Sequence, residues 1–324
     1  MLLDSQIFSA YPRPAQEPAA ARSVLDLRAL LLLSGSLRSG GLQAGVQRSI
    51  LDLPVSEDLK VRDLWVDSIS ALSAAWGLPN LRVRVLLGLG AHEPTPLPPG
   101  QPVRFTVERD PAQFRGTGGV VRDAARDYPD HSYVLVANAG QLMLDRLDEI
   151  ASDMAAAAAD AVVVAHADGT PSGLSLLRCA CLRLLPEVGY VDLKEQALKT
   201  IGRSFDLRVL RRGTPTALPI RTPADYIRAL QSYHRRDAGN EDSQDPFNED
   251  WSPSFKIVER QAMVHPTARI HDSVVLAGAT VERGATVVRC IVCPGGTVHR
   301  DALVVDQLVT ADSHQRAAPI AYQL

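Results

Sequence analysis

Leu30-Leu31-Leu32-Leu33-Ser34-Gly35-Ser36-Leu37-Arg38-Ser39-Gly40-Gly41 is the stretch on which the reading of this chain turns. The leucine run reads as a buried strand. A glycine-rich turn directly after such a strand is where α/β proteins bring backbone N–H groups to a phosphate. Gly35, Gly40 and Gly41 permit a positive φ and the close approach of a ligand. The same composition suits a plain Gly/Ser surface loop, and the loop alone does not decide between the two. Gln47-Arg48-Ser49-Ile50-Leu51-Asp52-Leu53-Pro54-Val55 continues the segment.

Outward from this stretch, strands and helices alternate. Trp65, Ile69, Leu72 and Trp76 lie on one face of a helix that Gly77 ends. Residues 81–87 and 133–137 read as strands, and a helix opens at Gly116 and runs to Ala125. Met143, Leu147, Ile150 and Met154 give another helical face. Residues 161–165, 173–177 and 205–210 are strands. Asp192 caps a helix through Ile201, with Glu195 placed as in a capping box. Thr222 and Pro223 open a helix to His234. The alternation predicts an α/β, Rossmann-like, mostly parallel sheet with helices on both faces.

The chain has 324 residues, 22% of them charged, and a net charge of −3. That balance argues against a nucleic-acid footprint. No apolar run is long enough to span a membrane. The first residues lack the pattern of a signal peptide, so a cytoplasmic protein is expected. The four cysteines form two close pairs, Cys179/Cys181 and Cys290/Cys293. The second pair has the spacing of a zinc or redox motif, but its β-like apolar flanks favour buried thiols that act as small hydrophobes.

Six acidic and no basic residues lie between Arg236 and Lys256, the composition of a solvated linker. Beyond it, Val264, Ile270 and Leu276 stand six apart, as do Val281 and Val287, and Val292, Val298 and Val304. This period predicts a short parallel β-helix of hexapeptide repeats. Five-residue steps, Leu276 to Val281 and Val287 to Val292, read as imperfect register. So small a stack should pack on the first domain or on another subunit. The expected division is an N-terminal segment 1–22, an α/β domain 23–236, the linker 237–255, the β-helix 256–310 and a tail 311–324.

A Rossmann-like domain followed by hexapeptide coils resembles the sugar-1-phosphate nucleotidyltransferases (nucleotide-sugar pyrophosphorylases), mannose-1-phosphate guanylyltransferases among them. The resemblance runs from about Ser23 to Val309. Residues 30–55 look like the opening strand, signature loop and Pro-Lys-Pro segment of that family. Gly116-Thr117-Gly118-Gly119 is similar to its Gly-Thr-Ala-Gly, with Glu108 ahead of it. Residues 134–140 resemble the strand that ends Asn-Gly-Asp, and 173–185 the segment that begins Ala-Gly-Ile-Tyr. Thr222-Pro223-Ala224-Asp225-Tyr226 matches the last five positions of Gly-Thr-Pro-x-Asp-Tyr. The resemblance implies a left-handed β-helix. It also implies nucleotide contacts by Gly35, Gly40, Gly41, Arg48, Glu108, Gly116 and Gly118.

In that family a sugar phosphate attacks the α-phosphorus of a nucleoside triphosphate and pyrophosphate leaves. Two aspartates hold Mg²⁺, and a lysine steadies the charge. Here Gly140 and Pro219 stand at the aspartate positions and Arg48 at the lysine position. Arg38 has no clear counterpart, and only residues 166–172 remain of a sugar-binding loop. The reading is therefore a degenerate member without confident catalytic residues or a metal. It would be a non-catalytic nucleotide or nucleotide-sugar binder, or a regulatory or scaffold partner of an active paralogue, and a homo-oligomer through the β-helix. The alternative is an active nucleotidyltransferase in which Asp145, Asp148 or Asp168 replaces a metal ligand. His265, His271 and His299 lie in the coils, as residues of exposed corners rather than of an acyltransferase.

Overall fold

The computed structural model describes residues 25–35, 41–88, 90–110, 115–237, 254–311 and 318–319. The N-terminal segment, Arg38, Gly40, linker residues 238–253 and most of the tail lie outside the described residues.

The leucine run forms strand β1 (Leu27–Ser34). It is buried on both faces, with Leu30 and Leu32 in one apolar core and Ala29 and Leu31 in another. It stands inside a seven-stranded sheet with β2 (Arg82–Leu87), β3 (Phe105–Arg109), β4 (Tyr133–Asn138), β6 (Ala161–His166), β7 (Pro171–Arg178) and β8 (Leu207–Arg212). A two-stranded ladder joins β5 (Gln141–Met143) to β9 (Ala217–Pro219). The large sheet has the order β3-β2-β1-β4-β7-β6-β8, and β7 alone among these runs antiparallel. The edge strands β3 and β8 carry Glu108, Arg109, Arg208, Arg211 and Arg212, charges that discourage pairing with another chain.

Helices cover both faces. On the first core lie α2 (Val61–Trp76), α4 (Leu147–Ala156) and α7 (Pro223–Asp237). Val121, Cys179, Leu182 and Ile201 bring α3 (Gly116–Ala124), α5 (Cys179–Leu182) and α6 (Leu198–Ser204) onto the second. Gly77 ends α2 at φ 62, a left-handed position that glycine adopts without penalty. Thr222 and Asp225 form a reciprocal capping box on α7. Two expectations need correcting. Met143 belongs to β5, not to a helical face. The residue that closes back on Asp192 is Gln196, not Glu195, because Leu193–Ala197 is a wider π turn that moves the facing position one residue on.

After the linker come ten short strands: β10 (Lys256–Val258), β11 (Met263–Val264), β12 (Arg269–His271), β13 (Ser273–Val275), β14 (Thr280–Val281), β15 (Thr286–Val288), β16 (Ile291–Val292), β17 (Thr297–Val298), β18 (Leu303–Val305) and β19 (Gln307–Val309). They stack as three narrow parallel sheets, an arrangement compatible with a β-helix. Val264, Val281 and Val298 align, as do Ile270, Val287 and Val304, so one coil is seventeen residues. A five-residue step recurs once per coil and is not imperfect register: Val287 to Val292 is one, but the step expected from Leu276 to Val281 falls instead at Ile270 to Val275. The steps that end at Val275, Val292 and Val309 each pass a corner residue with positive φ: Asp272 at 46°, Arg289 at 50° and Asp306 at 53°. Val275 fills the coil interior, and Leu276, expected there, points out of it.

That outward face explains how the stack is held. Ile257, Val274, Leu276, Ile291 and Cys293 share one core with β1, α2 and α7. Glu259 receives two hydrogen bonds from Arg48 and one from the Ala277 N–H. Asp272 accepts from Gln231 and from the Phe255 N–H. Helix α1 (Gly41–Val46) leans on β19, and a Cβ at Gly45 would lie 2.9 Å from Leu308. β20 (Ala318–Pro319) pairs antiparallel with β19. Among the described residues no helix is long and apolar enough to cross a membrane.

Candidate functional site

In the large sheet the chain leaves β1 for β2 and β3 on one side, then returns to β4 on the other. The reversal opens a crevice outside the carboxyl ends of β1 and β4, where open α/β sheets take their ligands. Ser34-Gly35 and Asn138-Ala139-Gly140 line it. The Ala139 N–H donates to Leu33 O, and Trp65 Nε1 donates to Ala139 O. The Gly140 N–H turns back onto Asn138 Oδ1 at 3.0 Å. On the far side the β5–β9 ladder sets Gln141 against Pro219, and Ile220 N–H donates to Gly140 O at 2.8 Å. The two positions at which the resemblance expects carboxylates are thus brought together, and both lack one.

Of the predicted nucleotide contacts, Gly35 lines this crevice and Gly40 lies outside the described residues. Gly35 has φ 101, and a Cβ there would stand 2.7 Å from that of Ala91, so close packing of the β1 and β2 ends already requires glycine. Gly41 opens α1, and nothing lies within 4 Å of a Cβ built on it. Arg48, expected to steady phosphate charge, is held bidentate by Glu259 at 2.7 and 2.9 Å. Glu108 pairs bidentate with Arg84, whose guanidinium also donates to Ala124 O on α3. The Gly116 and Gly118 positions are packed against Val191 O, 2.4 and 3.0 Å from their built Cβ atoms. The Gly118 and Gly119 N–H groups donate to that carbonyl, which leaves them nothing for a phosphate.

The alternative metal ligands are also engaged. Asp145 faces Arg236, and Asp148 is buried against Arg146. Asp168 accepts from Thr170 in the β6–β7 turn. Magnesium takes oxygen ligands, usually one or two carboxylates with waters. Gly140 and Pro219 offer no side-chain oxygen, and no group of three His, Cys, Asp or Glu stands together among the described residues. The donor set at the crevice does not fit the ion.

Two cations at this end of the sheet escaped the sequence reading. Arg221 follows Ile220 directly and is exposed. Lys194 lies in the π turn Leu193–Ala197, which Asp192 caps through the Lys194 and Glu195 N–H groups. The Leu193 N–H donates to Thr117 Oγ1, which ties the turn to the start of α3. Burial first, and then the nearby Arg221 guanidinium, hold the Lys194 pKa below the ordinary lysine value. At the ends of β4 and β7 polar residues are partly or wholly covered: Asn138 is half-buried, and Gln141 and Ser172 are buried. Gly173 has φ 84, and a Cβ there would lie 3.0 Å from Gln141 Oε1.

The cysteine and histidine readings stand apart from the crevice. Cys290 faces the coil interior and Cys293 the core shared with α2, so the two thiols point to opposite sides of one strand. Burial pushes them up to about 11 and about 12. His265, His271 and His299 are all exposed.

No family model matches the chain, and no curated protein matches it in sequence. Among solved structures it is similar to HddC from Yersinia pseudotuberculosis, with a TM-score of 0.41 and 15% identity over 64% of this chain and 99% of that one. It is also similar to a Bacillus anthracis protein assigned as a glucose-1-phosphate thymidylyltransferase and solved with sucrose, with a TM-score of 0.49 and 12% identity over 63% of this chain and 94% of that one.

Proposed function

We propose that this chain is a nucleotide-sugar pyrophosphorylase-like protein that binds a nucleotide or nucleotide-sugar at the crevice between β1 and β4 and does not carry out metal-dependent transfer. The observation behind this reading is the β5–β9 junction. It joins Gly140 to Ile220 and faces Gln141 with Pro219, so the two former carboxylate positions remain neighbours. The frame of a phosphoryl-transfer site is kept while its metal ligands are gone. Such transfer depends on neutralising phosphate charge with metal and cations, and little covalent chemistry could replace them.

On this reading the C-terminal stack is a short left-handed β-helix of hexapeptide type, and residues 23–236 form the nucleotidyltransferase-like unit. Its open coil ends favour self-association, and an active paralogue is the natural protein partner. The buried thiols, Cys179 and Cys181 raised to about 11 and about 12, fit a reducing compartment such as the cytoplasm. A thermal-shift panel of nucleoside triphosphates, nucleoside diphosphates and nucleotide-sugars tests the binding. At least one should raise the unfolding temperature in a concentration-dependent way. No shift with any of them overturns the reading.

A further inference from the structure

We propose that the acidic linker, residues 238–253, seats in an arginine-lined groove between α7 and β9, so that the chain carries the occupant of its own groove. The proposal is independent of the reading of the crevice.

The groove has a volume of about 350 Å³, within the range of about 300–1,000 Å³ common among ligand clefts. Leu218, Pro219 and Ala229 give it an apolar lining, and Arg228, Gln231 and Arg235 a polar one. Arg228 and Arg235 are exposed and lie two turns apart on one face of α7.

The first observation is that both ends of the linker lie at this groove. The chain leaves α7 at Asp237 and returns at Phe255, whose ring stacks on that of His234 with centroids 5.3 Å apart. The Phe255 N–H donates to Asp272, which also accepts from the groove residue Gln231. A segment tied at both ends beside a groove has a high effective concentration there. It is also long enough. Four extended residues, from Phe255 back to Trp251, span up to about 14 Å, and α7 rises about 9 Å from His234 to Arg228.

The second observation is chemical. The linker holds Glu241, Asp242, Asp245, Glu249 and Asp250 and no lysine or arginine, and it also holds Phe247 and Trp251. Its charge alone suits a solvated tether, but such tethers are poor in aromatic residues. Glu249-Asp250-Trp251 sets two carboxylates beside an indole. Carboxylates pair with the planar fork of arginine, and an indole gains from an apolar wall and from a guanidinium over its face. Arg228 and Arg235, together with Leu218, Pro219 and Ala229, offer both.

The test combines chymotrypsin digestion of the full chain with acrylamide quenching of Trp251, read as the fluorescence difference between the wild type and W251F. In the wild type, cleavage after Phe247 and Trp251 should be slow and Trp251 shielded. R228E/R235E and E249Q/D250Q should each speed cleavage about ten-fold or more, because digestion follows the open population, and each should expose Trp251. About 0.5 M NaCl should act in the same direction, since screening weakens the ion pairs. Adding E249K/D250K to R228E/R235E should restore protection, a recovery that general loosening of α7 would not give. A wild-type Trp251 as accessible as free indole overturns the proposal. So does protection that neither R228E/R235E nor E249Q/D250Q reduces. Protection that falls on dilution of the protein, which would mark a second copy's linker as the occupant, overturns it as well.

Discussion

At the scale of single residues, the glycines that read alike in the sequence do different work. Gly35 and Gly116 combine positive φ with built Cβ contacts of 2.7 and 2.4 Å, the second onto a carbonyl oxygen. Gly41 meets nothing. Denaturant unfolding should show G35A and G116A less stable by about 2 kcal/mol or more, from strain and overpacking. G41A should be neutral or up to about 1 kcal/mol more stable, because alanine suits a helix. Equal effects at the three positions would contradict this assignment. The sequence gives the positions of these glycines but not the neighbour that each one meets. Lys194 was hidden for the same reason, since its burial depends on the fold around the π turn. Its lowered pKa has a thermal consequence with a definite sign. The charged form is disfavoured in the folded state, so Lys194 costs stability below its folded pKa, and the cost vanishes as pH rises through that value toward 10.5. Asp192, Glu195 and Arg221 are the charged groups that act on it. The stability gained by K194M should therefore shrink as the pH becomes alkaline.

At the scale of elements, apolar runs placed β1, β4 and β6, apolar periodicity placed α2, and the capping residues Thr222 and Pro223 placed α7. These signals missed β3, β5 and β9. Phe105–Arg109 is mostly exposed at a sheet edge, and the other two are three residues long, too short to show a period. In the coils the period of six was legible but the repeat of seventeen was not. A corner that saves one residue needs left-handed backbone at Asp272, Arg289 and Asp306, and arginine gives no sign of that. The bidentate pair of Arg289 with Asp306 holds two successive corners together. Docking of the stack depends on Glu259, which satisfies the half-buried Arg48 and the Ala277 N–H together. E259A should cost about 2–4 kcal/mol in denaturant unfolding, because it leaves a cation and an amide without partners. A cost under about 0.5 kcal/mol, the range of an ordinary exposed ion pair, would show that the apolar face alone holds the stack.

At the scale of the whole molecule, the stack and the α/β sheet share one apolar core, and residues 41–48 are built partly on the coils. Helix α1 and Arg48 lie against them, so this part of the segment read as a phosphate loop serves docking. That Gly140 and Pro219 belong together was legible from motif positions. Lys194 and Arg221 were not singled out, because Lys194 lies outside the motifs of the resemblance and Arg221 stands where Gly-Thr-Pro-x-Asp-Tyr has its glycine. The central claim is that this crevice holds a phosphorylated ligand without catalysing transfer. The most direct measurement is pyrophosphate release from a panel of nucleoside triphosphates and sugar-1-phosphates with Mg²⁺, using purified full-length protein. The account predicts no release above the protein-free rate for any pair. Sustained release with one pair, proportional to protein concentration and abolished by EDTA, would contradict it.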